Sequence, residues 1–266
     1  MIFQSSETLA GVLRLRNWLT LGGVLAIGLS GCGDFDITKP ITSIKRATGT
    51  EINEKKMTPR IFGLVASDDR VAVAVGNSII RQGGSAADAA VAMTFTMGVT
   101  LPSRASLAGG GVCIVGGREG NQVQVLDFLP PASRARSADS DRSTAVPTMV
   151  RGMAALHSEY GKKTWRQLLE PARRFSRDGF ILTKSFSDDL AALATPLFAD
   201  PVSRAVFSVG DGKPVTRGRR LRQIELHTVL GQIAGRGAGD FYSGILSRRL
   251  VKSVAEAGGT LDPIEL

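Results

Sequence analysis

The 266-residue sequence is poor in several residue types, and each shortage removes a class of function. It has two cysteines, Cys32 and Cys113, and two histidines, His157 and His227. The histidines share no ligand spacing with each other or with the cysteines, so neither a metal site nor a metal cofactor is expected. Aromatic residues make up 6% of the chain. The one basic cluster, Arg217 to Arg222 (RGRRLR), contains none of them, and the remaining cations are scattered along the sequence. Nucleic acid is therefore not expected as a partner, since single strands are gripped largely by aromatic stacking. The excess of 33 Lys and Arg over 24 Asp and Glu, a net +9, reads as that of a secreted basic protein. Internal repeats and low-complexity tracts are also lacking. An apolar content of 43% with 21% charged residues is ordinary for a globular chain, long enough to bury a sizeable core in one large or two small domains.

What is present begins with an export signal. Arg14 and Arg16 precede an apolar run from Trp18 to Leu29, too short to span a bilayer comfortably but suited to a signal-peptide core. Glu7 is out of place in a region that should be basic. The run ends in Leu29-Ser30-Gly31-Cys32, which looks like a bacterial lipobox: small residues admit the signal peptidase, and the Cys32 thiolate accepts the lipid. Residues 1–31 are thus expected as a lipoprotein-type signal, 32–59 as a flexible polar tether and 60–266 as the folded body. The expected location is the bacterial cell envelope, with a lipid anchor holding the chain at the membrane. With Cys32 acylated, Cys113 would be the only free thiol and no intrachain disulfide is possible. Its setting, GVCIVG, is an apolar strand pattern, so it is expected to be buried and inert.

From Arg60 the pattern becomes that of a folded body. IFGLVAS reads as a short buried strand. Asp68-Asp69, the apolar run Val71 to Val75 continuing to Ile79-Ile80, and Gly83-Gly84 predict a helix with a glycine C-cap. Ser85 with Asp88 predicts a capping box opening an Ala-rich helix, ended near Gly98 and Pro102 and small on nearly every face, hence buried. Gly109-Gly110-Gly111 leads into a strand without the Lys-Ser/Thr pair or the spacing of a phosphate-binding loop. Close packing beside the alanine helix is expected of it. Val112 to Val115 and Val123 to Phe128 predict a hairpin turning at 116–121. After Pro130-Pro131 a polar loop to Ser143 carries Arg134, Arg136 and Arg142. Helices are then predicted from Val146-Pro147 to Tyr160, over Trp165 to Asp178 with Gly179 as stop, over Lys184 to Ala194, Leu221 to Ile233, and Tyr242 to Glu256.

In order, GLVASDD from Gly63, GGSAADAAVA from Gly83, LAGGG, the strand pair ending LDF, AVPTMVRGM from Ala145, YGKKTWRQLLEPARRFSRDGF, GDFYSGILSRRL and AGGTLDPIEL resemble the N-terminal part of the large subunit of gamma-glutamyltransferases (gamma-glutamyltranspeptidases). The resemblance runs from about Arg60 to Leu266. It implies an N-terminal-nucleophile hydrolase fold: an α+β protein, here a partial αββα sandwich, mostly helical after residue 145. It also implies a precursor that cleaves itself. The new N-terminal threonine of the small subunit, activated by its own α-amine, then attacks the gamma-glutamyl amide of glutathione or a related peptide. Donors beside that threonine stabilise the oxyanion.

Against that pattern the sequence ends before the cleavage site, so it is expected to be a truncated large subunit, inactive alone, with no catalytic residue of its own. Thr164 and Thr260 are ordinary threonines on this reading. The implied partners are a threonine-led small-subunit segment encoded downstream and a gamma-glutamyl or other small amide substrate. Members of the family carry Asp-Phe-Arg-Glu where this chain has Asp127-Phe128-Leu129-Pro130, so Leu129 stands at the position of the arginine that clamps the substrate carboxylate. Leaving such a carboxylate unpaired in a closed pocket costs on the order of several kcal/mol. Leu101-Pro102-Ser103 replaces the usual glutamate and histidine, and Thr148 replaces the glycine after Val-Pro. The implied specificity has moved toward other amides, unless Arg134 or Arg136 supplies the clamp from the following loop. The competing expectation is a non-catalytic lipid-anchored scaffold or binding lipoprotein.

Overall fold

Local chemistry sets the helix ends in the first part of the body. Asp69 caps α1 (Arg70–Arg81), its carboxylate accepting from the amides of Val71 at 3.1 Å and Ala72 at 3.3 Å. The helix stops because Gly83 takes a left-handed φ of 82°. Its amide then reaches the carbonyl of Ile80 and that of Gly84 the carbonyl of Ile79, the paired bonds of a glycine cap. One residue on, the expected capping box opens α2 (Ala86–Thr100): the Ser85 hydroxyl accepts from the Asp88 amide, and the Asp88 carboxylate accepts from the Ser85 amide. The computed structural model describes residues 63–116, 123–135 and 144–266. The signal, Cys32, the tether, the turn at 117–122, and Arg136 and Arg142 lie outside the described residues.

Helix α2 is the centre of the helical part. It packs against α1, α3 (Met149–Tyr160) and α4 (Trp165–Asp178), and small residues at Ala87, Ala89 and Ala92 let these neighbours approach on several sides. Phe95 meets Trp165 edge-on at 5.4 Å, and the Trp165 indole donates to the carbonyl of Ile233 on α7 (Ile224–Arg236). Leu168, Leu169, Leu230 and Ile233 are fully buried along the α4–α7 seam, each adding about 1.5–3 kcal/mol by leaving water. Asp88 has a second task that spacing alone did not suggest. Although buried, its carboxylate also accepts from the amides of Lys162 and Lys163 at 3.0–3.1 Å, which ties the α3–α4 turn to the start of α2.

The hairpin forms as expected: β1 (Gly111–Gly116) pairs antiparallel with β2 (Val123–Phe128). Its alternation turns Cys113, Val115 and Leu126 toward the helices and leaves Val112, Ile114, Val123 and Val125 exposed on the outer face. A second, two-residue pair joins β3 (Phe180–Ile181) to β4 (Arg220–Leu221). The architecture is α+β and mostly helical after residue 145, with two small antiparallel sheets among the described residues.

Several boundaries differ from expectation. Residues 63–67 form no strand and Leu64 is 94% exposed; no described strand lies beside them to take their backbone groups. Helix α2 runs through Gly98 to Thr100, where the buried Leu101 caps it. The helix foreseen from Leu221 starts at Ile224, because Leu221 pairs with Phe180 and faces the core as a strand residue. The last predicted helix is two, α8 (Gly239–Ser243) and α9 (Ile245–Glu256), divided where Gly244 adopts extended backbone tight against Asp240. Helix α5 continues to Leu197 (Lys184–Leu197). A further helix, α6 (Pro201–Phe207), follows it; its Asp200 cap and Pro201 were signals available in the sequence.

Candidate functional site

The region to which the resemblance assigns substrate contact lies where β2 ends, and the glycine cluster is what brings its parts together. Gly109 offers its carbonyl to the amides of Thr148 at 3.0 Å and Met149 at 2.8 Å, so the first turn of α3 hangs from it. A side chain at Gly110 would collide with the Phe128 carbonyl, the Thr148 hydroxyl and Pro130. The close approach is therefore to the strand end and α3, not to the alanine helix as the sequence suggested. Thr148, where the resemblance expects glycine, closes the junction by donating its hydroxyl to the Phe128 carbonyl. The Phe128 ring rests on Gly152, where a side chain would overlap it.

Leu129 follows at once and is 59% exposed, its amide held by the Asp127 carboxylate at 3.0 Å. The backbone after the strand is thus fixed, and it presents an isobutyl group. Beyond it the loop doubles back: Val146 donates to the Pro131 carbonyl and Ser133 to that of Thr144, around an Ala132–Ala145 bridge. Arg134 is exposed at the far end of this ladder.

The last residues of the chain grip the same loop. The Glu265 carboxylate accepts from the Ser133 hydroxyl and from the Arg134 amide at 2.6 Å. These two bonds, the Ser133 one first, hold its carboxyl below the usual glutamate range. Thr260 donates its hydroxyl to the Ala135 carbonyl and its amide to the Thr144 hydroxyl, while Leu261 and Leu266 pack on Val146. Arg151 donates to the Leu266 carbonyl and lies over the Tyr242 ring at 4.3 Å. Burial raises the Tyr242 phenol, partly offset by its hydrogen bond from the Arg151 amide and by the Arg151 charge.

The segment replacing the resembled glutamate and histidine has a different task. Ser103 and Arg104 both bind Asp189 on α5, at 2.7 and 3.1 Å, and the Arg104 bond, then the Ser103 one, lowers the Asp189 carboxyl. Thr164 caps α4, paired reciprocally with Gln167. His157 and His227 bond the carbonyls of Lys163 and Arg173 through their ring nitrogens. Cys113 is half-buried and not sealed: it lines a groove of about 690 Å³ with Ser85, Ala87, Gln124, Leu156 and Tyr160. The Glu265 grip, the Thr148 bridge and the Asp189 pair escaped sequence reasoning because each joins residues far apart in the chain.

The model of the family described as gamma-glutamyltranspeptidase matches residues 72–263. The chain belongs to the gamma-glutamyltranspeptidase family. Within that family it is 32% identical over 210 residues to glutathione hydrolase 3 of Arabidopsis thaliana, covering 75% of this chain and 33% of the relative. It is 30% identical over 220 residues to the glutathione hydrolase proenzyme of Escherichia coli K12, covering 77% and 38%. The chain thus spans about a third of the length of these curated relatives. Its fold matches the solved gamma-glutamyltranspeptidase of Helicobacter pylori with a TM-score of 0.72 at 25% identity, over 77% of this chain and 63% of that one. The Bacillus anthracis transpeptidase enzyme CapD follows at 0.68 and 25%, over 76% and 67%. The fold is therefore part of that of gamma-glutamyltranspeptidases, members of the N-terminal-nucleophile hydrolase class. The matched region takes in the hairpin, Leu129, the Arg134 loop and Thr148.

Proposed function

We propose that this chain is the large-subunit part of a gamma-glutamyltranspeptidase-type amidase, in which a threonine-led small-subunit segment supplies the nucleophile. Its own contribution is the wall that holds the substrate's glutamyl end. The observation that carries the reading is the β2 terminus. Asp127, Phe128 and their glycine supports keep the strand end firmly placed, and the resemblance puts the carboxylate clamp at the next residue, Leu129.

Because a leucine cannot pair a carboxylate, the substrate class extends beyond gamma-glutamyl peptides such as glutathione to other small amides. Arg134, carried on the doubled loop, is a candidate cation for an anionic group, with Arg136 as the alternative. The chain is exported and anchored through a lipid on Cys32, facing the cell envelope. A polypeptide continuing into the threonine-led segment, assayed with a gamma-glutamyl anilide, tests the specificity. Weak turnover unaffected by Arg134→Ala is expected. Robust turnover abolished by that substitution would show that recognition is conserved and only the arginine has moved.

A second reading, a non-catalytic lipid-anchored scaffold, is favoured by the same exposed Leu129, which leaves the strand end without its chemical group. A downstream reading frame encoding a threonine-led segment supports the enzyme; its absence supports the scaffold.

A further inference from the structure

The cations that are scattered in the sequence converge in the fold. Arg174 and Arg177 lie in the last turns of α4, and the 217–222 segment returns beside them. Arg220 donates to the carbonyls of Asp178 and Gly179 at 3.3 and 3.1 Å, and Arg222 to that of Asp178 at 3.4 Å. Asp178 accepts from Arg177 at 2.7 Å and lies near Arg174 and Arg222; the Arg177 bond first, then these charges, lower its carboxyl. Arg217 is held on α5 through its amide and the Ser187 hydroxyl, and Arg217, Arg220, Arg70 and Lys184 border one groove of about 890 Å³.

Seven cations thus share a face with three carboxylates: Asp178, Asp188, which pairs with Lys184, and Asp68 in the groove. Nearby Glu170 is bound to Arg173. In the middle of the cations, Ile181 on β3 is 50% exposed opposite Arg220.

We propose that this face docks on an anionic lipid surface. Charge complementarity favours a polyanion, and the apolar Ile181 at its centre favours a bilayer interface over nucleic acid, for which stacking aromatics would be expected. The proposal rests on the lipid-anchor reading for its setting. A basic patch of this kind adds a second point of attachment beside a lipid anchor.

The test uses the full chain with Cys32→Ser, so that acylation plays no part, and measures partitioning onto phosphatidylglycerol–phosphatidylcholine vesicles against pure phosphatidylcholine. The anchor is read separately, from the mass of the mature N-terminus of the unaltered chain. Preference for the anionic vesicles is expected. Arg70→Gln, Arg174→Gln and Arg217→Gln together should lower it about a hundredfold. Arg248→Gln, Arg249→Gln and Lys252→Gln on α9 remove the same charge and should lower it far less, with both triples melting like the parent. Equal losses from the two triples would reduce the effect to net charge and overturn the proposal. So would tighter, patch-dependent binding to duplex DNA than to the vesicles.

Discussion

Glu265 holds the backbone of Arg134 from 131 residues away, through the Arg134 amide at 2.6 Å. Because the folded carboxyl titrates below its ordinary value, the grip stabilises the loop at pH above the usual glutamate pKa. That contribution is lost as pH falls through the depressed folded value. Hydrogen exchange at the Arg134 and Ala135 amides should be slower in the parent than in Glu265→Gln at neutral pH. The difference should close in acid. A gap that persists in acid would show that the carboxylate is not what holds the loop.

Asp88 serves two helices, so its removal should be costly. Asp88→Ala removes one half of the α2 capping box and leaves the Lys162 and Lys163 amides without their buried acceptor. A loss of about 3–5 kcal/mol in urea unfolding is expected from the cap and the orphaned donors together. A loss near 1 kcal/mol would mean that only the cap matters.

Gly152→Ala places a methyl on the Phe128 ring and should cost about 1–3 kcal/mol by overpacking. It should also displace the strand end that carries Leu129. Gly116→Ala, with nothing within 4 Å of the new atom, is the matched control and should change stability by less than about 0.5 kcal/mol. Thermal melts of both, compared with the parent, decide.

The outer face of the hairpin carries Val112, Ile114, Val123 and Val125, all more than half exposed. The isolated chain should therefore associate as its concentration rises. Ile114→Lys with Val125→Lys, a facing pair in the register, should suppress this in sedimentation or light scattering. A parent that stays monomeric at micromolar concentration would show that this face needs no cover.

Much of the scaffold was legible because its signals are local. Ser85 and Asp88 are three residues apart, Gly83-Gly84 ends α1, Gly179 ends α4, and the apolar run from Val112 to Val115 has a strand's length. The misjudged boundaries lie where partners are distant: Leu221 was drawn out of a helix by Phe180, and Gly244 breaks one by packing on Asp240. The site was legible only by position. Leu129 could be placed at the clamp, but the Thr148 bridge and the Glu265 grip that shape its surroundings connect residues 20 and more than 130 apart. No periodicity reports such pairs.

The Asp88 clasp on the α3–α4 turn closes a loop of 74 residues, within which lie the hairpin, Leu129 and the Arg134 ladder. That single carboxylate therefore fixes both where this long stretch of chain sets out and where it returns, so the hairpin and the loop after it are laid out from one shared point.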